Sequence, residues 1–163
     1  MRFVVVAGVL MAGSAIAQDI PFDIGATEAC LAAAQSPMQA EACIGTSANI
    51  CMSTGDGSTT VGMGYCLDRE WQWWDARLNR VYGDLMARHK KDDAEMQAIG
   101  ATVPSLAESL KAMQRAWIPF RDAACDYERA QWGGGTGGGP ATVGCMMMQT
   151  ARQTLALEWR LSQ

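Results

Sequence analysis

The stretch from Cys66 to Leu85, CLDREWQWWDARLNRVYGDL, sets Leu67, Trp71, Trp74, Leu78, Val81 and Leu85 at alternating spacings of four and three. Residues so spaced fall on one face of an α-helix, so this segment predicts a long amphipathic helix. Asp84 and Arg88 add a favourable i,i+4 pair on its polar side. Downstream, Lys90 to Val103 mixes charges with Gly100 and is followed by Pro104, which predicts the main turn of the chain, with a helical fragment over Asp93 to Ile99. A second long helix is expected from about Pro104, carrying Leu106, Leu110, Met113, Trp117, Phe120, Ala124 and Tyr127. Its seam matches the first, and the two are expected to pack on each other. A third, from about Ala141 to Leu161, presents Val143, Met147, Thr150, Thr154, Leu157 and Leu161. Pro119 removes a backbone hydrogen bond to residue 115, costs about 3 kcal/mol in a straight helix, and predicts a bend near Ile118.

Upstream of Cys66 the signals are shorter. A helix is expected from after Thr27 to Gln35. Ser36 then reads as an N-cap, with Pro37 at the first helical position and Gln39 at capping-box spacing, opening a second short helix that runs to about Cys51. Ser53 to Thr60 reads as a loop, and nothing reads as a strand. The expected fold is all-α: a three-helix up-down-up bundle with a disulfide-stapled N-terminal helical hairpin.

The six cysteines fall into three pairs, each symmetric about a turn. Cys30 and Cys43 flank Ser36-Pro37, Cys51 and Cys66 flank Ser58-Thr59, and Cys125 and Cys145 flank Gly135. Where a chain doubles back as two antiparallel helices, residues equidistant from the turn lie side by side, as a disulfide requires. Among the fifteen connectivities open to six cysteines, this one pairs each across its nearest turn.

Arg2, the apolar run from Phe3 to Ala12, and Ala15-Ile16-Ala17 have the form of a secretory signal peptide over residues 1–17, leaving 18–163 as one domain with an 18–65 hairpin extension and a 66–163 bundle. The run is too short to cross a bilayer, so no retained membrane segment is expected, and the disulfides suit a periplasmic or secreted location. Removing those residues takes one of 13 basic side chains and none of 17 acidic ones, which leaves a net charge of −5. An acidic chain without a basic patch is a poor nucleic-acid ligand.

Chemistry-bearing residues are sparse. His89 is the only histidine, and its place beside Lys90 and Lys91 suggests the C-terminal end of a helix, where positive charge is favoured. With no second histidine and no thiol outside the pairing scheme, neither Cys-His catalysis nor a His-rich zinc site can be assembled. Glu70 and Asp75 are paired acids of a kind common on solvated helix faces. Met146, Met147 and Met148 point in three directions and cannot converge on one soft metal ion. The run Gly133 to Gly139 lacks the preceding strand, and the lysine and hydroxyl, of a phosphate-binding loop, and reads as a flexible connection. No enzyme and no cofactor are expected. Trp73 lies off the seam that Trp71 and Trp74 occupy; the favoured reading has it cover the N-terminal hairpin, and the alternative has it exposed as a partner contact. Trp132, beside the glycines, is the better candidate for surface contact.

Residues 66 to 160 resemble the LprI-like lysozyme-inhibitor N-terminal domain family of small secreted bacterial domains. The resemblance rests on Cys66-Leu67 with Glu70, on Trp74-Asp75 with Leu78-Asn79 and Tyr82, and on Gln114-Arg115-Ala116-Trp117 running into Phe120-Arg121-Asp122 and Cys125. Cys145, Thr150 and Arg152 complete it. These motif positions read as structural, with Arg115 and Arg121 expected to pair with Glu70, Asp75 or Asp122 between helices. The resemblance implies a protein partner, with a lysozyme the foremost candidate. The chain then acts as a non-enzymatic binding domain, or alternatively as a structural or interaction module of the cell envelope. No oligomeric state follows from the sequence.

Overall fold

The structure is a computed structural model that describes residues 20–163. The signal-peptide reading of residues 1–17 lies outside the described residues. The described chain is all-α, with helices α1 (Gly25–Ala33), α2 (Pro37–Ala42), α3 (Thr46–Met52), α4 (Thr60–Ala98), α5 (Leu106–Ala130) and α6 (Gly138–Leu161), and a 3₁₀ turn at Gly55–Ser58.

Three helix starts carry local caps: the Ser36, Thr59 and Ser105 hydroxyls accept from the Gln39, Gly62 and Glu108 amides at 3.3, 3.0 and 3.1 Å. The second short helix does not reach Cys51 in one piece. It stops after Ala42, and the chain turns through Gly45 at φ 87° before α3 begins. A side chain at Gly45 would be strained by that backbone and would crowd the Met147 methyl.

The expected turn from Lys90 is displaced, because α4 runs on to Ala98 and the chain reverses only between Ile99 and Ser105. Nothing from Lys90 to Ala98 breaks a helix, and Lys91 with Glu95 forms an i,i+4 pair at 3.8 Å. The stop comes at Gly100, which adopts φ 73°. At 39 residues, α4 extends about 58 Å. His89 therefore lies well inside a helix and not at its end. The glycine run is also more ordered than a flexible connection. Gly135 and Gly138 donate to the carbonyls of Trp132 and Gly135 at 2.8 and 3.1 Å, and Gly138 and Gly139 already belong to α6.

The packing differs from the expected pairing of the first two long helices. The principal partner of α4 is α6, and α5 lies more against α6 than against α4. One core cluster joins Trp74 of α4 and Met147 and Ala151 of α6 to Ile44 and Ala48 of the N-terminal segment. The other joins Leu78, Val81 and Leu85 to Leu110 and Leu157, flanked by Tyr82, Met113 and Trp117. Three residues of the expected α5 seam stand outside the core: Leu106, Phe120 and Tyr127 are 47%, 62% and 70% exposed. The helix runs unbroken through Pro119.

Three bridges join Cys30–Cys43, Cys51–Cys66 and Cys125–Cys145, with Cα separations of 5.6, 5.7 and 5.4 Å, in the pairing given by turn symmetry. Beside the second, the 3₁₀ turn lies so close to α4 that a Cβ on Gly62 would overlap the Asp56 carbonyl.

Candidate functional site

Glu70 organises the junction between the short N-terminal helices and the long helix α4. Its side chain is wholly buried and accepts from the amides of Gly45 and Ala48 at 2.8 Å each, and from the Trp74 indole N–H at 3.1 Å. A helix begins with amides that lack helical acceptors and with a partial positive charge, and a carboxylate answers both. The remaining donors of the first turn of α3 are met locally. The Thr46 amide donates to the Cys43 carbonyl at 3.2 Å. The Ser47 amide donates to the Thr27 hydroxyl, while the Thr27 amide donates to the Ser47 hydroxyl, both at 3.0 Å and both buried. Thus α1 and α3 cap each other, and Glu70 fastens the pair to α4.

Around this junction the tryptophans take separate roles. Trp74 is buried, and Trp71 donates its indole N–H to the Thr150 hydroxyl at 3.1 Å. Trp73 stands edge-on to Trp74 at 4.8 Å, partly buried against the core cluster that Trp74 shares with Met147 and Ala151. Beside it, Phe22, Asp23 and Ile24 line a shallow hollow. The Arg77 guanidinium lies 5.2 Å from the Trp73 ring centre and donates twice to Glu158, at 2.6 and 3.1 Å. Trp132 is 49% exposed and its ring lies over Gly137, where any Cβ would collide with it.

The remaining motif residues are dispersed. Asp75 accepts from the Asn79 side-chain amide at 3.1 Å, Tyr82 flanks the core cluster of Leu78, Val81 and Leu85, and Gln114 accepts from Gln153 at 3.0 Å. The inter-helix ion pairs expected of Arg115 and Arg121 do not form. Arg121 bonds to its neighbour Asp122 at 2.9 and 2.8 Å and stacks 5.0 Å from the Trp117 ring centre. Arg115 stands exposed, in none of the ion pairs among the described residues. The reason is geometric: Glu70 is closed off by backbone amides, and Arg115 emerges on the solvent side of α5. Arg152 does reach a carboxylate, Glu41 on α2, at 2.7 Å.

Sequence reasoning missed two features. Trp159, 57% exposed, separates two open hollows of about 600 and 340 Å³ between α2 and the end of α6, with Pro37 and Leu155 common to both. Its position off the α6 seam is the same signal that singled out Trp73. The second is Asp93, which accepts from the Ser105 hydroxyl at 2.6 Å and from the Leu106 and Ala107 amides at 2.8 and 3.0 Å, capping α5 from the far end of α4. Those hydrogen bonds, the Ser105 hydroxyl first, hold its carboxyl below the usual range. No described helix is long and apolar enough to cross a membrane.

Three relatives resemble the chain. One, named Uncharacterized protein R02472, of Rhizobium meliloti (strain 1021), is 32% identical over 93 residues, covering 57% of this chain and 67% of the relative. An Uncharacterized 17.7 kDa protein in puhA 5'region, of Rhodobacter capsulatus, is 28% identical over 133 residues, or 81% of this chain and 82% of that one. Uncharacterized protein YecT of Escherichia coli (strain K12) is 27% identical over 109 residues, 57% of this chain and 59% of YecT. No solved structure matches the chain significantly. The family model described as Lysozyme inhibitor LprI matches residues 51–157, beginning at Cys51 and so taking in the Cys51–Cys66 bridge and all of α4 and α5. On that match the chain belongs to the LprI lysozyme inhibitor family.

Proposed function

We propose that the protein is a non-enzymatic binding domain of the periplasm or the extracellular space that inhibits a lysozyme by surface complementarity. In this reading the segment 18–65 is a stapled extension and the long helices run up, down and up. The observation that carries it is the family match over residues 51–157. Three disulfides support an oxidising location, and a net charge of −4 over the whole chain favours approach to a basic enzyme. Trp132 is the contact residue of choice, since an indole braced over Gly137 offers apolar area at little entropic cost. Muramidase assays on several lysozyme classes, with and without the purified protein, test this. The expected result is inhibition at micromolar concentration that Trp132→Ala weakens about tenfold. The absence of inhibition of every class would overturn it.

A second reading is an interaction module of the cell envelope without inhibitory activity. It is favoured by the placement of Glu70 and Trp74 inside the scaffold, which makes the shared motif a record of folding rather than of a contact surface. Co-purification from the periplasm of a partner that is not a lysozyme would select it.

A further inference from the structure

The two hollows beside Trp159, of about 600 and 340 Å³, share one design: apolar lining and a single Arg–carboxylate pair in each. Pro37 and Leu155 line both, with Ala156 in the larger and Leu31 in the smaller. In the larger, Arg152 donates to Glu41 at 2.7 Å through Nε alone. Its terminal nitrogens and the second Glu41 oxygen have no hydrogen-bond partner among the described residues. In the smaller, Arg77 holds Glu158 through two nitrogens, at 2.6 and 3.1 Å. The Trp159 indole stands between them, 57% exposed.

We infer that this groove is a saccharide site, taking a chain of uncharged pyranose rings that lies across the Trp159 indole. Charge and shape together narrow the occupant. A simple anion would find one cation outside the ion pairs of the described residues, Arg160, which already donates to the Ala156 carbonyl at 2.9 Å. That residue also lies in the last turn of α6, where the helix carries partial negative charge. A simple cation would find both carboxylates already paired. A docked helix needs an unbroken apolar trough, which the indole divides, and an added strand needs free backbone donors, which helices have used internally. An acyl chain would lie half in water, because both hollows are open. A pyranose ring answers what is present. Its apolar C–H face packs on the negative face of an indole. Its hydroxyls, which both donate and accept, match guanidinium nitrogens and carboxylate oxygens set side by side. The ion pairs hold those groups in place beforehand, which spares the entropy of ordering long side chains. One hollow on each side of a single indole suits at least two linked rings.

The site is separate from the contact proposed at Trp132, which lies beyond the other end of α6, about 30 Å away along its axis. Nitrogen–proton NMR of the disulfide-bonded protein, titrated with cellotetraose, maltotetraose and tetra-N-acetylchitotetraose, tests it. At least one should bind saturably with a dissociation constant of roughly 0.1 to 5 mM, as suits an open site, and should shift the Trp159 indole resonance most. The matching monosaccharide should bind at least about tenfold more weakly, because it reaches one side of the indole only. Trp159→Ala should weaken binding at least about tenfold with an unchanged circular dichroism melt, and Arg152→Ala about threefold. Trp132→Ala should leave saccharide binding as it is. The inference is overturned if none of the three tetrasaccharides moves the Trp159 resonance at about 10 mM. Binding that survives Trp159→Ala overturns it as well, and so does tighter binding of sodium laurate, which would give the groove to acyl anions.

Discussion

Helix α4 ends two other helices' search for acceptors in contrasting ways. Near its start, Glu70 caps α3 from the dry interior, with two amides and an indole N–H as donors. Near its end, Asp93 caps α5 at the protein surface, with one hydroxyl and two amides. The chemistry is the same and the solvent is not. Around Asp93, water can replace whatever the carboxylate gives up, whereas around Glu70 an abandoned donor stays unpaired. The difference teaches that capping strength here is set by what surrounds the cap more than by its hydrogen-bond count.

The largest expected effect comes from removing the inner cap. Glu70→Ala should destabilise the protein by about 3–5 kcal/mol, because it orphans buried donors and leaves a void beside Trp74. Urea unfolding measures it, and hydrogen exchange should show α1 to α3 loosening first. A cost below that of the outer cap would break the comparison. Next comes the covalent tie to the same region. Replacing Cys51 and Cys66 together by alanine should cost about 3 kcal/mol in the chain-entropy account of a loop this size. Combined with Glu70→Ala, the loss should fall short of the sum, since both changes release α3; strict additivity would show that the two act on separate units.

The outer cap should matter less and should depend on pH. The Asp93 carboxyl titrates lower in the folded protein than the ordinary aspartate value of 3.8. Its contribution is therefore complete above that value and is lost as pH falls through the lower folded one. Thermal melts of Asp93→Ala should lie below wild type at neutral pH, by less than those of Glu70→Ala, and the gap should close in acid. A gap that widens in acid would reverse the assignment. Smallest of all, Arg152→Ala should cost no more than about 1 kcal/mol, because the pair with Glu41 is half exposed on both sides.

Much of this contrast was hidden from the sequence for a physical reason. Caps made by near neighbours, such as Ser36 with Gln39, advertise themselves through spacing. Glu70 instead binds amides 25 and 22 residues upstream, and an amide has no letter. Asp93 lay in a segment whose mixed charges suggested a turn, although charges alone do not end a helix. The α4 seam and the cysteine pairing were legible because both reduce to periodicity. The α5 periodicity was legible too, but a repeat does not say which of two apolar faces turns inward. Phe120 and Tyr127 belonged to the outward one.

The bridges also carry a consequence for biogenesis. Each cysteine is joined to its immediate successor or predecessor along the chain, at separations of 13, 15 and 20 residues. An oxidase that meets the thiols in order of emergence therefore produces the native set by closing each pair as its second member arrives. Such a chain has no need of an isomerase to rescue it, and can mature wherever oxidising power is present but proofreading is not.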